Sequence, residues 1–116
     1  MKHGLTCICV ILLCSLVTSV SAKRVNDPCS EQDLTSQMVC FNPDLLALDQ
    51  KQQLQTHALL RNMSIQNRAL FMEQQNKWYA LRNECRNSLQ CIQTMYQLRQ
   101  QVLNDQAQYS IFRSSF

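Results

Sequence analysis

The near absence of glycine is the feature that most restricts the folds open to this chain. Gly4 is its only glycine, so none follows in the rest of the 116 residues. Tight β-hairpins depend on turns such as Asn-Gly or Asp-Gly, which the sequence therefore lacks. Glutamine, which is well tolerated in helices, is abundant from Gln50 to Gln108. We therefore expect an all-α protein.

The first 22 residues have the pattern of a secretory signal peptide. A short charged start, Lys2-His3, precedes an almost wholly apolar stretch from Leu5 to Val20. Small residues then stand where signal peptidases cleave, in Val20-Ser21-Ala22. Cleavage after Ala22 predicts a periplasmic or extracellular protein without a stable membrane span.

Two alternatives for this segment stay open. A membrane anchor is one, although the apolar stretch of about 16 residues is shorter than the ~20 that span a bilayer. A lipoprotein signal is the other, since Cys14 comes late in the apolar stretch. The bulky Leu13 before it stands where lipidation favours a small residue.

Four cysteines remain after cleavage, because three leave with the signal peptide. An even number of cysteines in a short exported chain predicts disulfide bonds, here two. The remaining 94 residues allow one small domain with a thin core. Each cross-link then stabilises it by about 2–4 kcal/mol. The four are Cys29, Cys40, Cys85 and Cys91.

Capping residues predict where the helices begin. Asn42-Pro43 starts a first long helix that ends near Asn62. Ser64 starts a second helix from Ile65 to Arg86, and Ser88 a third from Leu89 to about Gln108. A short helical segment, with Ser30 as its cap, precedes them and ends at Cys40. We expect residues 23–28 to be a disordered lead-in, residues 29–108 the helical domain, and residues 109–116 a flexible tail.

One stripe on the second long helix combines an aromatic ring, a cation and an amide. Gln75, Trp78 and Arg82 are three and four residues apart and therefore neighbours on the helix surface. Trp78 has the largest apolar area to bury, and its indole N–H needs a partner. Tyr96 and Arg99 follow at helical spacing on the third helix. We expect this stripe to be covered by the rest of the chain and to be structural.

Three long helices with short turns predict a small antiparallel three-helix bundle with a short N-terminal helical segment. This topology brings Cys40, Cys85 and Cys91 to one end, and Cys29 can reach them. The pairing Cys29–Cys40 with Cys85–Cys91 is favoured as the most local one. The crossed pairing Cys40–Cys85 stays open.

Four motifs follow one another along the chain: Cys29-x10-Cys40, Asn42-Pro43-Asp44-Leu45 with Leu48-Asp49, Gln75-x-x-Trp78-x3-Arg82-Asn83-x-Cys85, and Cys91-Ile92-x3-Tyr96-x-x-Arg99-x3-Leu103. In this order they resemble the LprI-type lysozyme inhibitor family. The resemblance covers about Cys29 to Leu103. It implies a small secreted or periplasmic helical domain that binds lysozyme of the animal type. Two positions depart from the family pattern: Gln52 stands where an apolar residue is usual, and Thr56 where an aromatic one is. Both predict thinner packing of the first long helix.

Two functions from different classes follow. The first is inhibition of lysozyme by occupying the glycosidase cleft and blocking its paired carboxylates. After cleavage the chain keeps 10 basic residues against eight acidic ones, so it lacks the acidic surface that would steer a basic lysozyme. The second is an envelope or secreted protein-interaction module with a non-lysozyme partner. We expect Tyr79, Phe112 and Phe116 to be exposed and to serve it together with the amide-rich helix faces.

Catalysis, metal binding and nucleic-acid binding are not expected. His57 is a lone histidine, and no triad-like arrangement or paired carboxylates are evident. Zinc cysteines usually come as C-x2-4-C pairs, whereas five and ten residues separate the cysteines here. The basic residues form no stripe of the kind that contacts nucleic acid. We therefore predict no enzyme, no cofactor and no nucleic-acid partner.

Overall fold

The computed structural model describes residues 27–114, with side chains to residue 111, and all of its regular structure is helical. The predicted signal peptide and most of the expected lead-in lie outside the described residues. The prediction of an all-α protein with two disulfides is confirmed. A 3-10 helix, Pro28–Ser30, precedes four α-helices: α1 Leu34–Phe41, α2 Pro43–Arg61, α3 Ile65–Glu84 and α4 Leu89–Ser114.

The predicted caps of the three long helices are confirmed. The Asn42 side chain accepts a hydrogen bond from the Leu45 backbone N–H at 3.2 Å, and Pro43 is the first residue of α2. Ser64 caps α3, and Ser88 accepts from the N–H of Cys91 at 3.3 Å at the start of α4. These side chains satisfy N–H groups that have no partner within a helix, which is why each helix begins there.

Both ends of the domain differ from the sequence prediction. Asp33, not Ser30, caps α1, because its carboxylate accepts from the Ser36 N–H at 2.8 Å. Ser30 belongs instead to the 3-10 helix, in which Pro28 is buried. At the other end α4 runs to Ser114, past the expected end at Gln108.

The favoured disulfide pairing is confirmed. Cys29 is bonded to Cys40 and ties the 3-10 helix to the end of α1, while Cys85 is bonded to Cys91 across the turn between α3 and α4. Arg86 in this turn has φ 53°, in the left-handed region that glycine usually fills at a helix end. The only glycine of this chain is Gly4, so an arginine takes that conformation.

A buried threonine joins α1 to the same turn. The Thr35 hydroxyl donates to the carbonyl oxygen of Asn83 at 3.1 Å and to that of Arg86 at 2.9 Å. The last carbonyls of a helix have no partner within it. Thr35 therefore helps to terminate α3 from a neighbouring helix.

The core consists of two apolar clusters. The first lies at the disulfide end and contains Val39, Leu45, Cys85, Ile92 and Tyr96. The second lies further along the long helices and contains Leu59, Phe71 and Leu103. Helix α4 packs against both α2 and α3 and contributes to both clusters, and α1 also packs against α2 and α3.

Candidate functional site

The five residues of the predicted stripe come together between α3 and α4. Gln75, Arg82, Tyr96 and Arg99 are buried, and Trp78 is half-buried. Asp49 and Gln52 of α2 join them, each with no exposed surface. We call these seven residues the buried polar cluster. Along α2 and α4 they stand between residues of the two apolar clusters, so the core is layered: apolar, polar, apolar.

Arg82 connects three helices. Its Nη1 donates to the Tyr96 hydroxyl at 3.1 Å, and its Nη2 donates to the Ser36 hydroxyl of α1 at 2.6 Å. Its Nε and Nη2 also donate to Oδ1 of Asn83. Because a guanidinium presents its donors in a rigid planar fork, one side chain can fix the relative positions of α1, α3 and α4.

Arg99 is held by an amide, a phenol and an aromatic face. Its Nε donates to Oε1 of Gln75 at 3.0 Å, and its Nη2 donates to the Tyr79 hydroxyl at 3.1 Å. Its guanidinium carbon lies 4.4 Å from the centroid of the Trp78 ring, within range of a cation–π attraction. Arg99 thus uses both predicted stripe partners on α3.

Asp49 supplies the negative charge of the cluster. The Tyr96 hydroxyl donates to its Oδ1 at 2.8 Å, and Gln53 donates to its Oδ2 at 2.6 Å. Nη1 of Arg99 lies 3.9 Å from the same Oδ1, an ion-pair distance. Tyr96 therefore accepts from Arg82 and donates to Asp49. Burial, together with the charge of Asp49, raises the pKa of Tyr96 far above its ordinary value, so this phenol stays protonated.

The expected thin packing of α2 is not what the structure has. Gln52 is fully buried, and its Nε2 donates to the Tyr96 carbonyl oxygen at 2.9 Å. Thr56 is also buried, and its hydroxyl donates to the Gln52 carbonyl oxygen at 2.8 Å. Hydrogen bonds make these polar residues tolerable in a core. The helical spacing of residues 45, 49, 52, 56 and 59 was the available signal for this buried face.

Trp78 closes the cluster on the side of α4. Its indole N–H donates to the Met95 carbonyl oxygen at 2.9 Å, which satisfies the polar group noted in the sequence. Its ring meets those of Tyr79 and Tyr96 edge-on, with centroids 4.9 and 5.0 Å away. Tyr79, expected to be exposed, is half-buried instead, and burial raises its pKa.

A small cavity of about 210 Å³ reaches the cluster beside α1. Arg82, Ser36 and Tyr79 line it, together with the acidic Glu31 and Asp33. Burial would raise the pKa of the Asp33 carboxyl, but hydrogen bonds from Ser36 and the charge of Arg82 lower it on balance. The cavity therefore has both acidic and basic residues in its lining. Its one basic residue, Arg82, is already hydrogen-bonded to Ser36, Tyr96 and Asn83.

The polar residues of the buried polar cluster connect α1, α2, α3 and α4. Their donors and acceptors are bonded mainly to one another. His57 is exposed on α2 and is not one of the seven residues of the buried polar cluster. Within residues 27–114 no group of three His, Cys, Asp or Glu residues is placed to hold a metal ion. The arrangement is suited to holding the helices in register.

The exposed apolar residues gather on another surface. Helices α3 and α4 run antiparallel from the Cys85–Cys91 bond, as the Trp78–Met95 contact and the packing of Phe71 with Leu103 show. On their side away from α2, helical spacing aligns five exposed apolar side chains. We call this surface the α3–α4 outer face: Leu70, Leu81, Leu98, Val102 and Tyr109, which are 60, 53, 50, 43 and 64% exposed.

The outer face continues into a groove, and one exposed residue of each charge, Lys77 and Asp105, shares its helical spacing. Half-buried Trp78 and Met95 lie between its exposed residues in the helical pattern and add apolar surface. A groove of about 1080 Å³ opens where α3 begins and α4 ends, with Leu70 and Tyr109 on its walls beside amides such as Gln74 and Gln106. The sequence reasoning missed this surface, although Leu98 and Val102 could have been read as a second stripe on α4.

Comparison of the chain with known protein families, with characterised proteins and with solved structures finds no match. None of the helices within residues 27–114 has both the length and the apolarity that crossing a membrane requires. What can be argued about function therefore comes from the two surfaces just described, one buried and polar, the other exposed and apolar.

Proposed function

We propose that this chain is an exported LprI-like protein that acts by binding another protein through the α3–α4 outer face, and that it is not an enzyme. The observation that supports the proposal is that polar residues are buried in the core while large apolar residues are exposed. The polar and charged side chains of the buried polar cluster bond to one another inside the core, while five apolar side chains aligned on α3 and α4 are exposed. Apolar patches of several hundred Å² on small proteins commonly mark binding sites.

The proposed architecture is the antiparallel three-helix bundle of α2, α3 and α4, with α1 across one end. What supports it is the packing of α4 on both other long helices and the position of both disulfides near the ends of α1 and α3. The disulfides also support an oxidising compartment, the periplasm or the extracellular space, because such bonds persist there.

A lysozyme of the animal type is the first partner to test, because the resemblance to LprI-type inhibitors implies it. In this form of the proposal the outer face covers the glycosidase cleft and keeps the substrate from its two catalytic carboxylates. The apolar face would supply the binding energy, since the net charge of the protein provides no steering toward a basic enzyme.

The experiment is an inhibition titration with the oxidised protein of residues 23–116 and an animal lysozyme. We expect inhibition in the micromolar range or tighter. Leu98→Lys should abolish it, because it places a charge in the middle of the outer face. The matched control is Leu54→Lys on α2, where the native leucine is 72% exposed and outside the face. Both variants add one positive charge, so general repulsion from a basic enzyme is the same in each.

Thermal unfolding of both variants separates binding from folding. Each leucine is at least half exposed, so each variant should keep its stability within about 0.5 kcal/mol. Equal inhibition by wild type and Leu98→Lys would contradict the proposed surface. No inhibition by any of the three proteins would exclude lysozyme as the partner.

An envelope or secreted protein other than lysozyme is the second candidate. Capture from envelope or host extract with the same three proteins tests it. A partner retained by wild type and Leu54→Lys but lost with Leu98→Lys supports binding through the outer face. Identical capture by all three proteins would refute it.

A further inference from the structure

We propose that the α3–α4 outer face binds the same face of a second copy of this chain, so that the protein is a two-fold symmetric dimer. The inference rests on the proposed function to the extent that both assign protein binding to this face. It goes beyond that function by identifying the binding partner as a second copy of the chain.

The size of the face is the first argument. A large side chain exposes about 150–200 Å² when free, so the exposed fractions of the five residues amount to roughly 400–500 Å² of apolar surface. A standard interface buries about 800 Å² on each partner, and about 65% of a homodimer interface is apolar. That corresponds to about 500 Å² of apolar surface per chain, which is close to what this face offers.

The shape of the face is the second argument. It lies along two antiparallel helices, Ile65–Glu84 and Leu89–Ser114, which the Cys85–Cys91 bond holds together at one end. A pair of antiparallel helices with an apolar side is half of a four-helix bundle. Two copies related by a two-fold axis complete the bundle, because such an interface brings the same patch of each copy together.

The composition of the face is the third argument. Its five residues are uncharged, and so are Trp78 and Met95 between them. Lys77 on α3 and Asp105 on α4 share the helical spacing of these residues, and both are exposed. The surface therefore carries one charge of each sign, so pairing it with itself adds no net charge to the interface. A second copy of the chain offers the same apolar residues and the same balance of charge.

The layered core keeps this face in one shape. On α3, Trp78 is fixed by its hydrogen bond to Met95 and by the Arg99 guanidinium 4.4 Å from its ring. The two helices that carry the face are therefore held to each other before any partner binds. A preorganised surface loses less entropy on association than a mobile one.

Sedimentation velocity of the oxidised protein, residues 23–116, tests the inference. We expect wild type and Leu54→Lys to sediment with twice the monomer mass at micromolar concentration and above. Leu98→Lys should sediment as a monomer, because two lysines would meet within an apolar interface. Far-UV circular dichroism should show that all three proteins are folded. Wild type that is monomeric throughout this range would overturn the inference, as would a Leu98→Lys variant that remains a dimer.

The same samples separate this inference from the proposed function. A monomeric wild type that still loses its partner on Leu98→Lys refutes the dimer and leaves the binding proposal in place. A dimer that dissociates on Leu98→Lys, in a protein that inhibits no lysozyme and captures no other partner, supports the dimer and refutes the proposed function.

Discussion

Asp49→Asn tests the electrostatic role of the buried polar cluster. Asp49 is the one buried acid among the described residues. The buried Arg99 lies at an ion-pair distance from it, and the buried Arg82 is connected to it through the Tyr96 hydroxyl. The substitution keeps the shape of the side chain and an oxygen that can accept from the Tyr96 hydroxyl. It removes the negative charge, so two buried guanidinium groups lose their counter-charge.

The expected loss of stability can be worked out from the geometry. At 3.9 Å, the separation of Arg99 Nη1 and Asp49 Oδ1, two unit charges attract by about 4 kcal/mol at an effective dielectric constant of ~20. Removing one member of a buried ion pair typically costs about 3–5 kcal/mol, since the other charge stays desolvated. We therefore expect Asp49→Asn to lower the free energy of unfolding by about 3–4 kcal/mol. That is a large part of the 5–15 kcal/mol typical of a folded domain.

Urea unfolding at pH 7, followed by far-UV circular dichroism, measures this loss. With m-values of about 1–3 kcal/mol/M, the midpoint should fall by 1 M or more. Asp105→Asn is the matched control, because Asp105 is exposed on α4. It should change stability by less than about 0.5 kcal/mol. A loss below about 1 kcal/mol in Asp49→Asn would refute the reasoning that this carboxylate compensates the two arginines.

Four further predictions concern the disulfide end and the core. Trp78→Ala should lower the free energy of unfolding by about 3–5 kcal/mol in the same urea assay; an unchanged midpoint would mean that the ring is not part of the core. Cys85→Ser should free Cys91, so that mass spectrometry after alkylation finds one modified thiol and the melting temperature falls. An unmodified protein would contradict that bond. Arg86→Gly should stabilise by about 1 kcal/mol, since glycine adopts φ 53° without steric cost; a lower melting temperature would show that the arginine side chain contributes more. The lowered pKa of Asp33 means that its contribution to stability is complete above its unfolded pKa, about 3.9, and is lost as the pH falls through its folded pKa. Unfolding followed between about pH 5 and pH 2 should therefore show a steeper loss in wild type than in Asp33→Asn; equal slopes would contradict it.

Local chemistry explains which parts of the fold could be predicted from sequence. Asn42, Ser64 and Ser88 act within four residues of their own position, so the starts of the long helices follow from the sequence alone. The disulfide pairing followed because the two local pairs, Cys29–Cys40 and Cys85–Cys91, are each close in sequence. The start of α1 was wrong because the sequence analysis considered only Ser30 as its cap, whereas Asp33, three residues later, can cap a helix equally well.

Long-range partners explain what could not be predicted. Gln52 was interpreted as an interruption of the apolar face, because an amide becomes a core residue only when acceptors on another helix are in reach. Those acceptors, the Tyr96 carbonyl oxygen and the Gln100 side chain, come from α4. Asp49 escaped notice for the same reason, since its burial depends on Tyr96 and Arg99 more than 40 positions away. The outer face was missed because exposure is a property of the packed helices.

A concentration series of amide chemical shifts is the most direct test of the claim that the α3–α4 outer face binds the same face of a second copy. Two-dimensional NMR spectra of the oxidised protein would be recorded from about 10 μM to about 1 mM. We predict shifts that change with concentration at Leu81, Leu98, Val102 and their neighbours on α3 and α4, and not around Leu54 on α2. Shifts centred on α2, or none at all over this range, would contradict the account.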